Sequence, residues 1–295
     1  MADQIPRPGQ VFLDHVGWFV ADMEEAARTF DRLGFPLTPY SVHGDKDPAT
    51  GETKLVGSAN RLAMLEEGYL EILTPVAGAD TPVARHMRGE LARHPGVHLV
   101  AFTVADASVE PARLADAGFT LSPTVNLRRT IEAEDGGKVE VAFTVVRPQL
   151  GSIPEGRMQV LTHHTPEHMW QRRYVAREAA VAALTGVVFS GADPAASAER
   201  LGRLTGRQAT AQSDGSSVVV LDRGRLLFVS PAAAAQLVGE PEQPAPRIAA
   251  IELASQDLAA TEHVLAKRGI RLGHCADGRL VVPADAAAGT ALLIG

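Results

Sequence analysis

The side chains in this sequence that are best suited to chemistry are two histidines and one glutamate set in apolar segments. His15 lies in Asp-His-Val-Gly-Trp-Phe-Val at 14–20, His98 starts a similar apolar segment, and Glu71 interrupts Gly-Tyr-Leu-Glu-Ile-Leu at 68–73. Imidazole and carboxylate groups are the usual protein ligands of divalent metal ions. An ionised carboxylate in an apolar strand is costly unless a cation or hydrogen-bond donors meet it. The pattern therefore predicts a metal site.

The elements that must position these residues repeat one order, a strand, an amphipathic helix and three further strands. In the first copy a strand covers 11–20, and a helix capped by Asp22 runs to about Leu33. Strands at 61–65 and 69–73 follow a polar loop or hairpin. Because side chains alternate along a strand, His15 is expected to share a face with Leu13 and Gly17, and Glu71 to share one with Tyr69 and Leu73. The same order returns from Val97 and, more weakly, from Gly186 and Arg247.

The repeated units resemble the vicinal oxygen chelate superfamily, and within it the glyoxalase-like domain branch. The resemblance rests on Asp-His-Val-Gly at 14–17, Tyr-Leu-Glu-Ile at 69–72, Gly-Val-His-Leu-Val at 96–100, Asn-Arg-Leu at 60–62, and His-His-Thr-Pro-Glu at 163–167 followed by Trp170. It implies an α+β fold of four βαβββ modules paired into two sheets. The N-terminal domain is predicted over 10–175 with the metal site, and a degenerate pair over 184–295. A helix-like segment at 166–184 is predicted to join them.

The same resemblance implies that the metal ligands come from the first and fourth strands of two paired modules. By position these are His15, Glu71 and His98. The fourth corner, a carboxylate in the family, offers Gln159, Thr162, His163 or His164 here. The Thr-Pro pairs at 74–75 and 165–166, if equivalent, set Thr162 opposite Glu71 and favour His163 as the ligand, with water as the alternative. The expected cofactor is a divalent ion, namely Fe, Mn, Ni, Zn or Mg.

Further residues are candidates for contact with a small-molecule substrate. These are Asn60, Arg61, His164 and Trp170, although Asn60 and Arg61 could equally be ordinary strand-entry residues. The function implied is that of a metal-dependent enzyme, acting on a small metabolite with vicinal oxygens as a lyase, an isomerase or a ring-cleaving dioxygenase. The alternative is a non-catalytic protein that binds a small molecule or sequesters a drug through an apolar cleft.

The amino-acid composition excludes several other classes of protein and of site. The chain has 295 residues, 45% of them hydrophobic, and a formal net charge of -7, which argues against nucleic-acid binding. Cys275 is the single cysteine, so an intramolecular disulfide and a thiolate-rich zinc site are both excluded. No apolar run approaches the ~20 residues that span a membrane. The sequence predicts a cytoplasmic protein without membrane partners, and it allows a homodimer.

Overall fold

Two eight-stranded sheets flanked by helices form the protein, in a computed structural model that describes residues 3–46, 53–176 and 180–295. The strands of the first sheet are β1 (Val11–Phe19), β2 (Ser41–Lys46), β3 (Thr53–Met64), β4 (Tyr69–Pro75), β5 (Gly96–Val104), β6 (Val125–Glu132), β7 (Lys138–Val146) and β8 (Arg157–His163). Those of the second sheet are β9 (Val181–Ser190), β10 (Ala209–Ala211), β11 (Ser217–Val220), β12 (Arg225–Val229), β13 (Arg247–Ser255), β14 (Gly273–His274), β15 (Leu280–Val282) and β16 (Ala291–Ile294). The helices are α1 (Met23–Arg32), α2 (Pro82–Arg93), α3 (Glu110–Asp116), α4 (Pro166–Met169), α5 (Pro194–Thr205), α6 (Pro231–Val238) and α7 (Leu258–Lys267).

The two sheets have the same topology. The strand order is β2-β3-β4-β1-β5-β8-β7-β6 in the first and β10-β11-β12-β9-β13-β16-β15-β14 in the second. Adding eight to every strand number of the first sheet gives the strand order of the second sheet. Within each module the first strand runs parallel to the fourth, as β1 does to β4 and β5 to β8. The predicted α+β fold of four βαβββ modules in two sheets is confirmed.

Helix α2 was not predicted, and the segment at 166–184 differs from its prediction. Helix α2 joins the first two modules and α6 joins the last two, and each has proline at its start. The predicted helix-like segment at 166–184 contains only the four-residue α4 and a 3-10 turn, and from Val181 onward it is strand β9. Residues 177–179 lie outside the described residues. Pairing with β13 keeps the alanines of β9 extended, because tertiary contacts override their helix propensity.

A β-bulge interrupts the alternation of side chains along β1. The pairing between β1 and β5 skips Asp14 on one strand and His98 on the other. A bulge lets two successive residues oppose one residue of the partner strand, and this changes which side chains face the same way. Leu13 therefore packs with Val16 in the main core, while His15 lines a cavity. The expectation that His15 shares a face with Leu13 was wrong for this reason.

The main core is continuous between the two halves of the chain. It contains Val16 and Trp18 from the first sheet and Val187 and Ile251 from the second, all fully buried. Polar contacts also cross this boundary, since Trp18 Nε1 donates to the Ala287 carbonyl at 3.0 Å. No helix in the described part of the chain has both the length and the apolar character needed to cross a membrane.

We expect Trp18→Phe to lower the free energy of unfolding by about 1–3 kcal/mol more than Trp170→Phe does. Both indoles are buried, but Trp170 Nε1 has no hydrogen-bond partner among the described residues. Trp18→Phe leaves the Ala287 carbonyl without its donor, whereas Trp170→Phe removes no hydrogen bond. Urea unfolding of both variants measures the difference. Equal losses of stability would show that the bond between the halves contributes nothing.

Candidate functional site

The concave face of the first sheet encloses a cavity of about 210 Å³. The sheet almost closes on itself, because its edge strands β2 and β6 approach each other and Arg129 donates to Ser41 Oγ across the gap at 3.0 Å. In the second sheet the edge strands β10 and β14 have only three and two residues. His15, Tyr69, Glu71 and Gln159 are among the residues that line the cavity of the first sheet.

A buried carboxylate holds two imidazoles at the edge of this cavity. Asp14 Oδ2 accepts from His15 Nδ1 at 2.6 Å, and Asp14 Oδ1 accepts from His163 Nε2 at 2.9 Å. All three residues are at most 2% exposed, so this polar group is sealed from water. The bulge at Asp14 makes the arrangement possible, since neighbouring side chains of a regular strand point to opposite faces.

Asp14 remains ionised although it is completely buried. Burial alone would raise its pKa, but His163 and His15 more than offset this effect and hold the pKa well below its usual range. Ionised Asp14 accepts a hydrogen bond from His15 Nδ1–H, so the lone pair of a neutral His15 imidazole lies on Nε2. His15 Nε2 is therefore the atom that can hold a metal ion or take a proton.

Two further polar side chains approach His15 Nε2. Glu71 Oε2 lies 3.6 Å away and Gln159 Nε2 lies 3.2 Å away. The other oxygen of Glu71 accepts from Asn60 Nδ2 at 2.6 Å. Tyr69 stacks on the His15 ring with the centroids 4.3 Å apart, and burial raises its pKa well above the ordinary value. The imidazole is thus fixed by Asp14 on one edge and by an aromatic ring on one face.

Strand register explains why Gln159 occupies the fourth corner. Val16 pairs with Val100 where the antiparallel strands β1 and β5 of the two modules meet. A twofold rotation about this pair relates the two modules. A residue at a given distance from Val16 along the first module therefore corresponds to the residue at the same distance from Val100 along the second. Glu71 is the parallel partner of Gly17, and Gln159 is the parallel partner of Ala101. Gln159 is therefore the counterpart of Glu71. Thr162, predicted for this position, instead donates to the Val104 carbonyl at 2.9 Å.

The same register makes Leu99 the counterpart of His15. His98 occupies the bulge, where its ring stacks on Phe19 and His94 and its Nδ1 lies 3.3 Å from Glu90 Oε2 on helix α2. His98 therefore does not approach His15 and Glu71, contrary to the prediction.

His163 does not complete the predicted set either. Its Nε2 is occupied by Asp14, and its ring packs among Tyr69, Phe143 and Trp170. Among the described residues, no group of three or more His, Cys, Asp or Glu side chains could hold a metal ion. The four predicted ligands are not brought together. The geometry joins His15 and Glu71 to Gln159.

One of the four predicted substrate contacts lies in the cavity. Asn60 lines it and binds Glu71, but Arg61 donates to the Thr38 carbonyl at 3.0 Å and is not among the lining residues. His164 is exposed and contacts Thr144 Oγ1 at 2.8 Å, while Trp170 packs behind Tyr69. His43 does border the cavity, where burial lowers its pKa to about 4, so it is neutral at pH 7.

An ion-pair cluster occupies the equivalent position of the second sheet. By register, Gly186 corresponds to His15 and Glu252 to Ala101. Glu252 accepts from Arg225 at 2.7 Å and from Arg279 at 2.6 Å, which lowers its pKa although burial opposes the shift. A Cβ atom at Gly186 would lie 2.1 Å from Glu252 Oε2, so a larger side chain there would displace the Glu252 carboxylate. An ion pair thus takes the place that the histidine and carboxylate occupy in the first sheet.

The fold and the cavity define an α+β protein of paired βαβββ modules with a buried polar centre in one sheet. The sequence profile of a family described as a glyoxalase-like domain matches residues 13–205, so the chain belongs to this family. The predicted resemblance is confirmed, and the match extends beyond the domain boundary predicted at 175–184. No curated protein sequence matches the chain.

Solved structures share the fold at low sequence identity. A hypothetical protein from Staphylococcus aureus superposes with a TM-score of 0.67 at 9% identity, covering 97% of this chain and 99% of that one. A triple mutant of 4-hydroxymandelate synthase from Streptomyces coelicolor has a TM-score of 0.54 at 15% identity, covering 91% and 77%. The Mn(II)-bound glyoxalase from Novosphingobium aromaticivorans has a TM-score of 0.53 at 13% identity, covering 97% and 82%.

Proposed function

We propose that the protein is an enzyme that binds a small metabolite with neighbouring oxygen atoms at His15 and Glu71, together with one divalent metal ion. The observation that carries the proposal is the convergence of His15 Nε2, Glu71 and Gln159 in an enclosed cavity, with Asp14 holding the imidazole from behind. A carboxylate bonded to the remote nitrogen of an imidazole is typical of metal-binding and of proton-transferring histidines. The fold shared with a Mn(II)-bound glyoxalase supports the metal.

The donor types fit a divalent ion with open positions. His15 supplies a neutral imidazole nitrogen, Glu71 a carboxylate and Gln159 an amide oxygen once its amide is turned over. Leu99 at the remaining corner supplies no donor. A metal ion held here would polarise the oxygens of a substrate and stabilise an enolate. Three protein donors leave room for two substrate oxygens.

The chain's own residues can move a proton at this centre. With Nδ1–H fixed on Asp14, His15 Nε2 can take a proton from a substrate only when no metal ion uses its lone pair, and ionised Asp14 would then stabilise the imidazolium. Glu71 is the second group that can accept a proton, and Asn60 keeps it oriented. The second histidine of a two-His, one-carboxylate oxygen-activating site is missing, because Leu99 stands in its place. These features favour lyase or isomerase chemistry over ring cleavage by oxygen.

Metal content tests this proposal. We expect the purified protein, reconstituted in turn with Mn, Fe, Ni, Zn and Mg, to retain about one equivalent of one of these ions by elemental analysis. The variant His15→Ala/Glu71→Ala should lose it. The matched control is His98→Ala/Glu90→Ala, which removes another His–Glu pair of the same half and should retain the ion.

The alternative function predicts a different result. If the protein only binds or sequesters a small molecule, no ion will be retained by the wild type after reconstitution. Retention by the His15→Ala/Glu71→Ala variant, or loss from the His98→Ala/Glu90→Ala control, would also contradict the proposed site.

A further inference from the structure

Two arginines of the cavity form no salt bridge with any described residue. Arg147 follows β7 directly and Arg157 is the first residue of β8, and both line the cavity. The Nε atom of each is buried and has no hydrogen-bond partner in the part of the chain that the structure describes. A buried polar atom without a partner is costly, and a guanidinium that lines a cavity without forming a salt bridge is available to a ligand.

The environment of these two guanidinium groups disfavours their charged form and lowers their pKa values. Burial lowers the pKa of Arg157 to about 10, and the neighbouring charge of Arg147 contributes to this decrease while Glu71 acts in the opposite direction. Burial also lowers the pKa of Arg147. Both groups are still fully protonated at pH 7, so the cavity holds two adjacent positive charges at a cost in stability.

The charges lining the cavity are unbalanced. The described lining residues include four arginines and one acidic residue, Glu71. Arg128 is exposed and pairs with Glu140 at 2.6 Å, and Arg129 bonds the neutral groups of Ser41 and Asn60. Glu71 is already bonded to Asn60. Arg147 and Arg157 differ from those two arginines, because their side chains form neither a salt bridge nor a hydrogen bond with any described residue and are left for an anion.

One part of the cavity wall is apolar. This apolar wall lies on the cavity side of β5, β6, β7 and β8, and it consists of Leu99, Leu127, Phe143, Val145 and Leu161. A ligand that satisfies both surfaces carries a negative group at one end and an apolar body at the other.

We propose that Arg147 and Arg157 form an anion subsite for the carboxylate of the substrate, and that the apolar body of the substrate contacts the apolar wall. A guanidinium binds a carboxylate through two parallel hydrogen bonds, which fixes orientation as well as charge. The inference deepens the proposed function and rests on it for the identity of the ligand as substrate. The subsite requires no metal ion, so the two ideas can be tested separately.

Benzoate and benzamide are the probes, because they have the same ring and differ in the charge of the end group. We expect chelator-treated wild-type protein to bind benzoate at least about tenfold more tightly than benzamide by isothermal titration calorimetry. Arg157→Gln and Arg147→Gln should each weaken benzoate binding by about tenfold or more and leave benzamide binding unchanged. The matched control is Arg128→Gln, which removes an exposed arginine already paired with Glu140.

The outcomes separate the subsite from the metal site. Benzoate binding that survives His15→Ala/Glu71→Ala and is lost in Arg157→Gln supports the anion subsite even if no metal is found in the wild type. Equal affinity for benzoate and benzamide, or no benzoate binding at all, overturns it. Equal losses in Arg128→Gln and Arg157→Gln also overturn it, since they reveal only a general effect of charge. Benzamide titration in each variant shows whether the cavity is intact.

Discussion

Asp14→Asn is expected to lower the free energy of unfolding by about 3–5 kcal/mol, a large fraction of the stability of an ordinary domain. The carboxylate is fully buried between the imidazoles of His15 and His163. Asparagine has nearly the same shape, but its amide nitrogen cannot accept a hydrogen bond, so at least one imidazole loses its acceptor. The same change frees the His15 ring to adopt the other tautomer. Urea unfolding at pH 7 measures the loss of stability.

The pH dependence identifies the origin of this loss. The pKa of Asp14 is lowered in the folded protein from 3.8, so its contribution is fully present above about pH 4 and is lost as the pH falls through the folded value. The difference in stability between wild type and Asp14→Asn should therefore shrink on acidification below pH 4. A difference that stays constant down to pH 2–3 would mean that packing, and not charge, is responsible.

The control for this prediction is Asp106→Asn. Asp106 is exposed, and it accepts from the Ser108 backbone N–H at 2.9 Å at the start of a 3-10 turn. Asparagine serves almost as well as aspartate in this role, so we expect a change of less than about 1 kcal/mol. A similar loss in both variants would show that the buried position of Asp14 has no special importance.

A second large effect is expected when the missing metal donors are supplied. Leu99→His/Gln159→Glu places an imidazole and a carboxylate at the counterparts of His15 and Glu71. We expect Mn²⁺ to bind this variant on the order of a hundredfold more tightly than the wild type, because a neutral amide and an apolar side chain are replaced by two strong ligands. Titration of free Mn²⁺ by electron paramagnetic resonance measures the two dissociation constants.

Two further measurements test whether Mn²⁺ binds at the intended position. Without metal, the carboxylate introduced by Gln159→Glu would repel Glu71, so the Tm of the double variant should be lower than that of the wild type and should rise on addition of Mn²⁺. The same double substitution in a Glu71→Gln background should lose most of the gain in affinity. A gain that persists there would indicate binding at some other place and would refute the correspondence between the two modules.

Much of the fold could be predicted from the sequence because hydrophobic periodicity and turn residues recur in each copy of the module. The hairpin of β6 and β7 around Asp-Gly-Gly at 135–137 is an example, since this turn signal is strong and local. Helix α2 was missed because it lies between the first two modules, where the repeat gives no guidance. Strand β9 was predicted to begin too late, because its first residue, Val181, is followed by two alanines whose conformation depends on distant partners.

The site was only partly predictable for a similar reason. Ligand type identified His15 and Glu71, but the choice between Gln159 and His163 depends on strand register, which no single segment specifies. The bulge that turns His98 toward α2 has no local sequence signal either. Arg147 and Arg157 carry no motif, since an arginine next to a strand is usually exposed. A signal for Asp14 was available, because an acidic residue directly precedes the first histidine.

The continuous core between the two sheets affects how this protein tolerates mutation. On the cavity side the buried Nε atoms of Arg147 and Arg157 have no hydrogen-bond partner among the described residues, at a cost in stability, whereas the arginines at the equivalent position of the second sheet are paired with Glu252. Because Trp18 and the shared core join the halves, packing improved in the second sheet stabilises the first as well. The half without the polar centre thereby acts as a stability reserve. Such a reserve increases mutational robustness, and new specificities can evolve in the cavity while the chain stays folded.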